Sequence, residues 1–419
     1  MGTKAIQSLK KNYGGLPKSI YILFIARIIN RMGGFVYAFL ALYMKSKLNM
    51  SEGLIADFLL LNGALSMASP FIGGYIADKK GRKKIYIAAQ AVGAGIFVVC
   101  GFLHTVNPHL IPPLLILASL INHLVGPINS AMVADIARDP EERRRAYSLL
   151  YLGINVGVAI GPIIGGFLLE QHTSLFFIID AITTFVSVIL VGLFVEETIL
   201  THEEMKAVKG DEKMEEGFAL KVLLKKPILV AFTVCSIFGS AVYAQSGYGF
   251  SLHLQHVFGN INGPKYFGLL MSFNAILVLV FTIAITEILS RNKNINNIAL
   301  AALLNGIGFG MIAFIGDKLP LFYLSVFIWT MAEIISVTNT SVFIMSHTPV
   351  NYRGRFNAII DFLTGTGYVV SPKIMSYFMT HYSYNAAWKF IALLAFISFT
   401  GLVITGFFDK SKKEALETV

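Results

Sequence analysis

The stretch "GGYIADKKGRKK", residues 73–84, decides how this chain is read. It places an acid between spaced glycines, then five cations, in one short turn flanked by apolar runs on both sides. Only 14% of the 419 residues are charged and 55% are hydrophobic. A soluble globular domain carries about a quarter charged residues, so this chain lacks the polar surface to face water all round.

An apolar run of roughly 20 residues crosses a bilayer as a helix. About twelve such runs are predicted, near 19–44, 53–77, 84–104, 111–137, 145–169, 174–196, 227–252, 264–289, 296–316, 319–347, 355–380 and 385–408. Lipid cannot satisfy backbone polar groups, and runs of this length do not suit the short alternating strands of a barrel. An all-α membrane protein is therefore expected. The first eighteen residues are polar and basic, and the first apolar run is long enough to span, so no cleaved leader is expected. Cys100 and Cys235 both fall inside predicted helices, which argues against a disulfide framework.

The net charge of +10 is distributed unevenly. With twelve spans, one set of ends and loops holds Lys79 to Lys84, Arg143 to Arg145, Arg291, Lys293, Arg353 and Arg355. The other set holds only Lys45, Lys47, Lys265, Lys318 and Lys389. The positive-inside rule puts the basic side and both termini in the cytoplasm of a multi-pass cell-membrane protein. The excess then faces anionic headgroups rather than nucleic acid. The one long charged segment, 197–226, divides the chain into an N-terminal six-helix bundle over 1–196 and a C-terminal bundle over 227–419 with a short tail. Repeats of this kind place substrate near the midplane.

Within the opening stretch, Gly74 is expected to allow close helix packing and Gly81 to adopt a positive φ in a tight turn. Asp78 suits the positive end of a neighbouring helix, and Arg82 a forked bond to a second carboxylate. A membrane anchor needs the cations but not the acid or the glycines. Together these residues resemble the loop 2–3 signature of the major facilitator superfamily, with Lys79 where Arg is commoner. The resemblance extends to the 6 + 6 layout and implies alternating access between two bundles. It also implies that Asp78 contacts the eleventh helix and that Arg82 pairs with Asp135 to form a conformational latch. The matching loop of the second half, "EILSRNKN", keeps Glu287 and Arg291 but no glycine.

The fifth span reads "GINVGVAIGPIIGGFL", with Gly153, Gly157, Gly161 and Gly165 on one helix face and Pro162 inviting a kink. It resembles the fifth-helix motif of the superfamily's drug:proton antiporters; a plain tight helix contact is the alternative. Many of those antiporters carry an arginine where this chain has Asn122, followed by His123.

Ionisable residues at bilayer depth are costly and tend to line cavities. Arg27 and Arg31 share a face of the first helix, with Arg31 near mid-span. Glu333 lies in the middle of the tenth span and Asp361 in the cytoplasmic half of the eleventh. A carboxyl out of water is favoured neutral, which suits Glu333 to carrying a proton. Asp361, His123 and Arg31 are the other candidates for proton coupling. Lys373 is expected to pair with a polar neighbour, and Asp57 and Asp180 to be solvated near the outer ends. Tyr37, Tyr151, Asn155, Tyr243, Gln245, Tyr248, Asn274, Trp329 and Tyr368 supply aromatic and amide groups for a substrate cavity, alongside Arg27, Arg31, Asn122 and Glu333.

These features point to a monomeric, proton-coupled secondary transporter exporting small lipophilic or cationic compounds. No cofactor or metal is expected, and a proton gradient drives it. Uptake of peptides is the rival: "RRRAYSLLYLGINVG" also resembles the fifth-helix region of proton-coupled oligopeptide transporters, yet Arg27 and Asn30 stand where their E-x-x-E-R pattern has glutamates. A lipid flippase on the same fold is a further alternative. The chain contains no P-loop, H-E-x-x-H or G-x-S-x-G, which argues against an enzyme.

Overall fold

The computed structural model describes residues 13–137, 139–197, 219–348 and 353–409; the side chains of Asp78, Pro140, residues 219 and 220, and 353–355 lie outside it. The order is α1 (Lys18–Gly33), α2 (Leu40–Leu48), α3 (Glu52–Ser66), α4 (Ser69–Lys80), α5 (Arg82–Val106), α6 (Ile111–Ile136), α7 (Pro140–Gln171) and α8 (Thr173–Phe194). Then come α9 (Ala219–Leu224), α10 (Pro227–Tyr243), α11 (Gly249–Leu289), α12 (Asn294–Gly310), α13 (Leu319–His347), α14 (Arg353–His381) and α15 (Tyr384–Phe408). No strand occurs among the described residues.

Nine stretches among the described residues are long and apolar enough to cross a membrane. One of them, Pro227–Leu289, is two rods divided at Gly259, whose φ of 78° and ψ of 176° interrupt α11. The α1–α2 pair and α14 stand outside those nine. The first is broken between Gly34 and Phe39; the second carries Asp361 and Lys373. With them the rods reach the twelve expected.

Side-chain caps set several boundaries. Asp139 accepts from the amides of Glu141 and Glu142 at 2.9 and 3.0 Å and starts α7. Ser383 accepts from the Ala386 amide at 3.0 Å and starts α15. Such caps stabilise a helix by about 1 kcal/mol. The expected kink at Pro162 does not break α7, which is one continuous helix.

The chain divides into two compact units. The first comprises residues 1–49, 61–210 and 260–276; the second comprises 50–60, 211–259 and 277–419. The expected linker falls largely within 198–218, outside the described residues. Phe35, Phe176 and Phe177 form an aromatic core in the first unit, with ring centroids 5.1 and 5.3 Å apart. In the second, Phe309 stacks between Trp329 and Trp388 at 5.5 and 6.0 Å. Large apolar side chains also cover the outside: Phe102, Leu193 and Phe407 are well exposed. In lipid this surface is solvated, and helices associate through close packing rather than through expulsion of water.

Candidate functional site: a carboxylate-lined cavity and its supporting motifs

Within the second unit, α10, α12, α13, α14 and α15 enclose a cavity of about 280 Å³. α13 contributes Glu333, Ser336 and Thr340; α14 contributes Asp361, Thr364 and Tyr368. α10 adds Ser240 and Tyr243, and α12 adds Asn305. Glu333 is half-buried and Asp361 is exposed to this space. Asn305 is buried, and its Oδ1 has no hydrogen-bond partner among the described residues. No lysine, arginine or histidine among the described residues lines the cavity. The wall thus offers two carboxyls, an unused amide oxygen, hydroxyls and two tyrosines: a set rich in acceptors for a proton or a cation.

Sequence reasoning found Glu333, Asp361, Tyr243 and Tyr368, and the structure brings all four together. It missed Asn305. The available signal was a lone amide within the apolar "ALAALLNGIGFG". Two expected cavity residues belong to the core instead. Trp329 is only 1% exposed, sandwiched against Phe309, and Gln245 is fully buried, donating to Ser371 Oγ at 2.5 Å. Tyr248 is likewise buried, its hydroxyl donating to the Glu52 carbonyl at 2.8 Å.

The remaining candidates lie in the first unit. Arg31 sits in the last turn of α1, where the broken helix presents its negative dipole end, rather than at the middle of an unbroken span. Asp180, expected to be solvated, is 3% exposed. It lies within electrostatic reach of Arg31. Asn30 joins this cluster by donating to Thr184 Oγ1 at 3.2 Å. Arg27 has a buried Nε without a partner among the described residues. Tyr37 donates to the Leu115 carbonyl at 3.3 Å, and Asn122 packs on Gly93. His123 is exposed and hydrogen-bonded through Nδ1 to the Ser119 carbonyl of its own helix at 2.7 Å. Asn155 likewise donates to the Tyr151 carbonyl of its own helix at 2.9 Å, and Asn274 is half-buried. None of these lines the carboxylate cavity.

Of the acids and bases expected near the outer ends, Asp57 is half-exposed and pairs with Lys373 at 2.5 Å.

The opening stretch is built much as expected. Gly81 has φ 103°, and a Cβ there would meet Glu197 Oε2 at 2.6 Å. Glu197 in turn accepts from the Lys83 and Lys84 amides at 3.0 and 3.4 Å, capping the start of α5. Arg82 bonds Asp135 through Nη1. Gly74 departs from expectation: nothing lies within 4 Å of a Cβ built on it, whereas one on Gly73 would sit 2.5 Å from the Leu124 carbonyl oxygen. The close packing against α6 therefore belongs to Gly73. The Asp78 side chain lies outside the described residues.

The glycine face of α7 lies on α1. Added Cβ atoms would meet Phe24 from Gly153, Arg31 Cβ and the Ile28 carbonyl from Gly157, the Met32 carbonyl from Gly161 and Phe35 from Gly165. The Pro162 carbonyl abuts Gly268 within the same unit.

Against known proteins, the family model described as Major Facilitator Superfamily matches residues 23–372. A "Na(+), Li(+), K(+)/H(+) antiporter" of Planococcus maritimus is 24% identical over 359 residues, 80% of this chain and 84% of that one. "Multidrug resistance protein MdtH" of Salmonella arizonae is 27% identical over 226 residues, 50% of this chain and 55% of that one. Among solved structures, a POT family transporter in complex with a thioalcohol-conjugated peptide superposes with TM-score 0.76 at 15% identity, covering 96% of this chain and 98% of that one. The nucleoside transporter NupG gives TM-score 0.72 at 17% identity, covering 93% of this chain and 99% of that one. These are transporters rather than enzymes. With the family match spanning most of the chain and twelve helical rods beneath it, this protein is a membrane transporter belonging to the Major Facilitator Superfamily.

Proposed function

We propose that the protein is a proton-coupled antiporter that expels a cationic solute, with both termini in the cytoplasm of the cell membrane. The observation that carries this reading is the cavity of the second unit. Glu333, Asp361 and the unused Asn305 oxygen face one space whose described lining contains no basic side chain. Carboxylates at bilayer depth are expensive unless a proton or a cation neutralises them. A proton and a cationic solute then compete for the same charge. Release of one favours loading of the other, which is exchange without further machinery. Coupling requires that the two access states differ in affinity for each ion. The hydroxyls and the tyrosines Tyr243 and Tyr368 admit either a dehydrating metal cation or a lipophilic organic one. The similarity to an alkali-cation/proton antiporter over most of its length supports cationic cargo, and the shorter match to a multidrug resistance protein supports the organic class.

The latch reading is part of the proposal. Arg82 and Asp135 join α5 to α6 beside the rigid Gly81 turn, a contact suited to forming in one state and releasing in the other. The experiment is transport in proteoliposomes under an imposed pH gradient, with sodium, potassium, a cationic dye and a dipeptide tested in parallel. Gradient-driven movement of a cation or dye against the proton supports antiport. Movement of the dipeptide with the proton, and of no cation, refutes it.

A further inference from the structure

We propose that the second unit carries a binding groove for an anionic membrane phospholipid, between α12 and α15 and separate from the carboxylate cavity. The groove has a volume of about 480 Å³. Lys293 and Asn296 stand at one end with Phe407, and Leu303 and Phe399 line the other. The two helices run antiparallel, so both sides reach similar depth. From Lys293 to Leu303 a helix rises about 15 Å, half of the ~30 Å hydrocarbon core and so the depth of one leaflet. At ~30 Å³ per water-sized group, the volume holds roughly sixteen such groups, the bulk of one acyl chain. Close approaches bracket it. A Cβ on Gly406 would lie 3.0 Å from Asn296 Oδ1, and one on Gly310 would lie 2.9 Å from Ala392 Cβ. Between them the helices leave the apolar slot.

The polar end fits a phosphate. The Lys293 ammonium spends one donor on the Asp409 carbonyl at 2.9 Å, which fixes its position and leaves two donors with no hydrogen-bond partner among the described residues. The Asp409 carboxylate is engaged with His347 Nε2 at 3.1 Å. Lys293 also stands at the N-cap of α12, where no side chain caps the helix and the amides favour an anion. A cation at the membrane surface over a leaflet-deep apolar slot matches a lipid with a negative headgroup and one buried tail. The occupant is a bilayer lipid, and the inference does not depend on what the protein transports.

The test is native mass spectrometry of the detergent-solubilised full chain with phosphatidylglycerol or phosphatidylcholine of equal chain length. Wild type is expected to retain phosphatidylglycerol preferentially. Lys293→Ala is expected to lower that retention about tenfold, the loss of a charge-assisted contact. Lys293→Arg keeps it, and Lys318→Ala, beyond the opposite end of α12, leaves it unchanged. Leu300→Trp, which narrows the slot from its exposed wall, lowers retention of both lipids. Equal retention of the two lipids by wild type would overturn the proposal. So would undiminished phosphatidylglycerol on Lys293→Ala, or its displacement by excess inorganic phosphate.

Discussion

Replacing Gly157 with valine tests whether the glycine face of α7 is a backbone-to-backbone seam. A Cβ at Gly157 would lie 2.6 Å from Arg31 Cβ, 2.7 Å from the Ile28 carbonyl oxygen and 3.1 Å from the Met32 amide nitrogen. Carbon atoms prefer about 3.5–4.0 Å, so α1 must retreat by about 1 Å even for the first carbon. Two of the three obstructing atoms are backbone, which no rotamer change can move. A radial gap of 0.5–1 Å forfeits roughly a quarter to a half of each dispersion well along the seam. Overpacking of this kind costs typically about 1–3 kcal/mol, and valine's two further methyl groups put Gly157→Val at the upper end. Helix propensity offsets little, since valine and glycine differ by only a few tenths of a kcal/mol in a helix. The control is Gly95→Val on α5, where nothing lies within 4 Å of the added carbon. That substitution is expected to stay within about 0.5 kcal/mol. The assay is thermal unfolding of both variants in one detergent, read as the shift in Tm. Equal shifts would refute the seam, because the same side chain would then cost the same with and without a neighbour.

The Arg82–Asp135 pair is largely buried on both sides, so Arg82→Ala and Asp135→Asn should each impair transport and the double variant little more. A double-mutant cycle should give a coupling of about 1–3 kcal/mol, and additive effects would remove the pair from the mechanism. Trp329→Phe should cost about 1–2 kcal/mol of stability yet leave transport per folded molecule intact, because the indole Nε1 serves no partner among the described residues and the ring is core. Transport lost as fully as in a Glu333 variant would return Trp329 to the site. A cysteine placed within 201–216 should react with impermeant thiol reagents only from the cytoplasm, and one at the exposed Asn262, beside Gly263, only from outside; the opposite labelling overturns the orientation.

What was legible in the sequence had a local cause. Gly81 read correctly because turn chemistry acts over a few residues, whereas the partner of Arg82 lies 53 residues away and was indicated by the family resemblance. The α7 seam read correctly because a four-residue period fixes a face whatever the partner. Gly73 and Gly74 were confused because one residue on a helix turns the side chain by about 100°, and only the packing partner decides which points inward. Asp180 departs from expectation because its burial depends on how α8 packs against α1, a contact between distant segments that no local pattern shows. Trp329 and Gln245 looked like cavity residues because an amphipathic side chain in a membrane helix satisfies both descriptions until its neighbours are known. Asn305 is a lone amide in the apolar stretch 298–310, and only the neighbours of that stretch show that it faces the cavity.

The most direct test of the account is substrate flux in vesicles containing Glu333→Gln, with and without a pH gradient, after the substrate has been identified for wild type. One pH unit supplies about 1.4 kcal/mol per proton, so one-for-one exchange drives roughly a tenfold concentration ratio. Glutamine keeps the shape of the protonated acid but cannot give up a proton. The account predicts that wild type reaches a ratio near tenfold per pH unit, while Glu333→Gln equilibrates substrate without concentrating it. A gradient that drives Glu333→Gln to the wild-type ratio would contradict the assignment of the exchanged proton to Glu333.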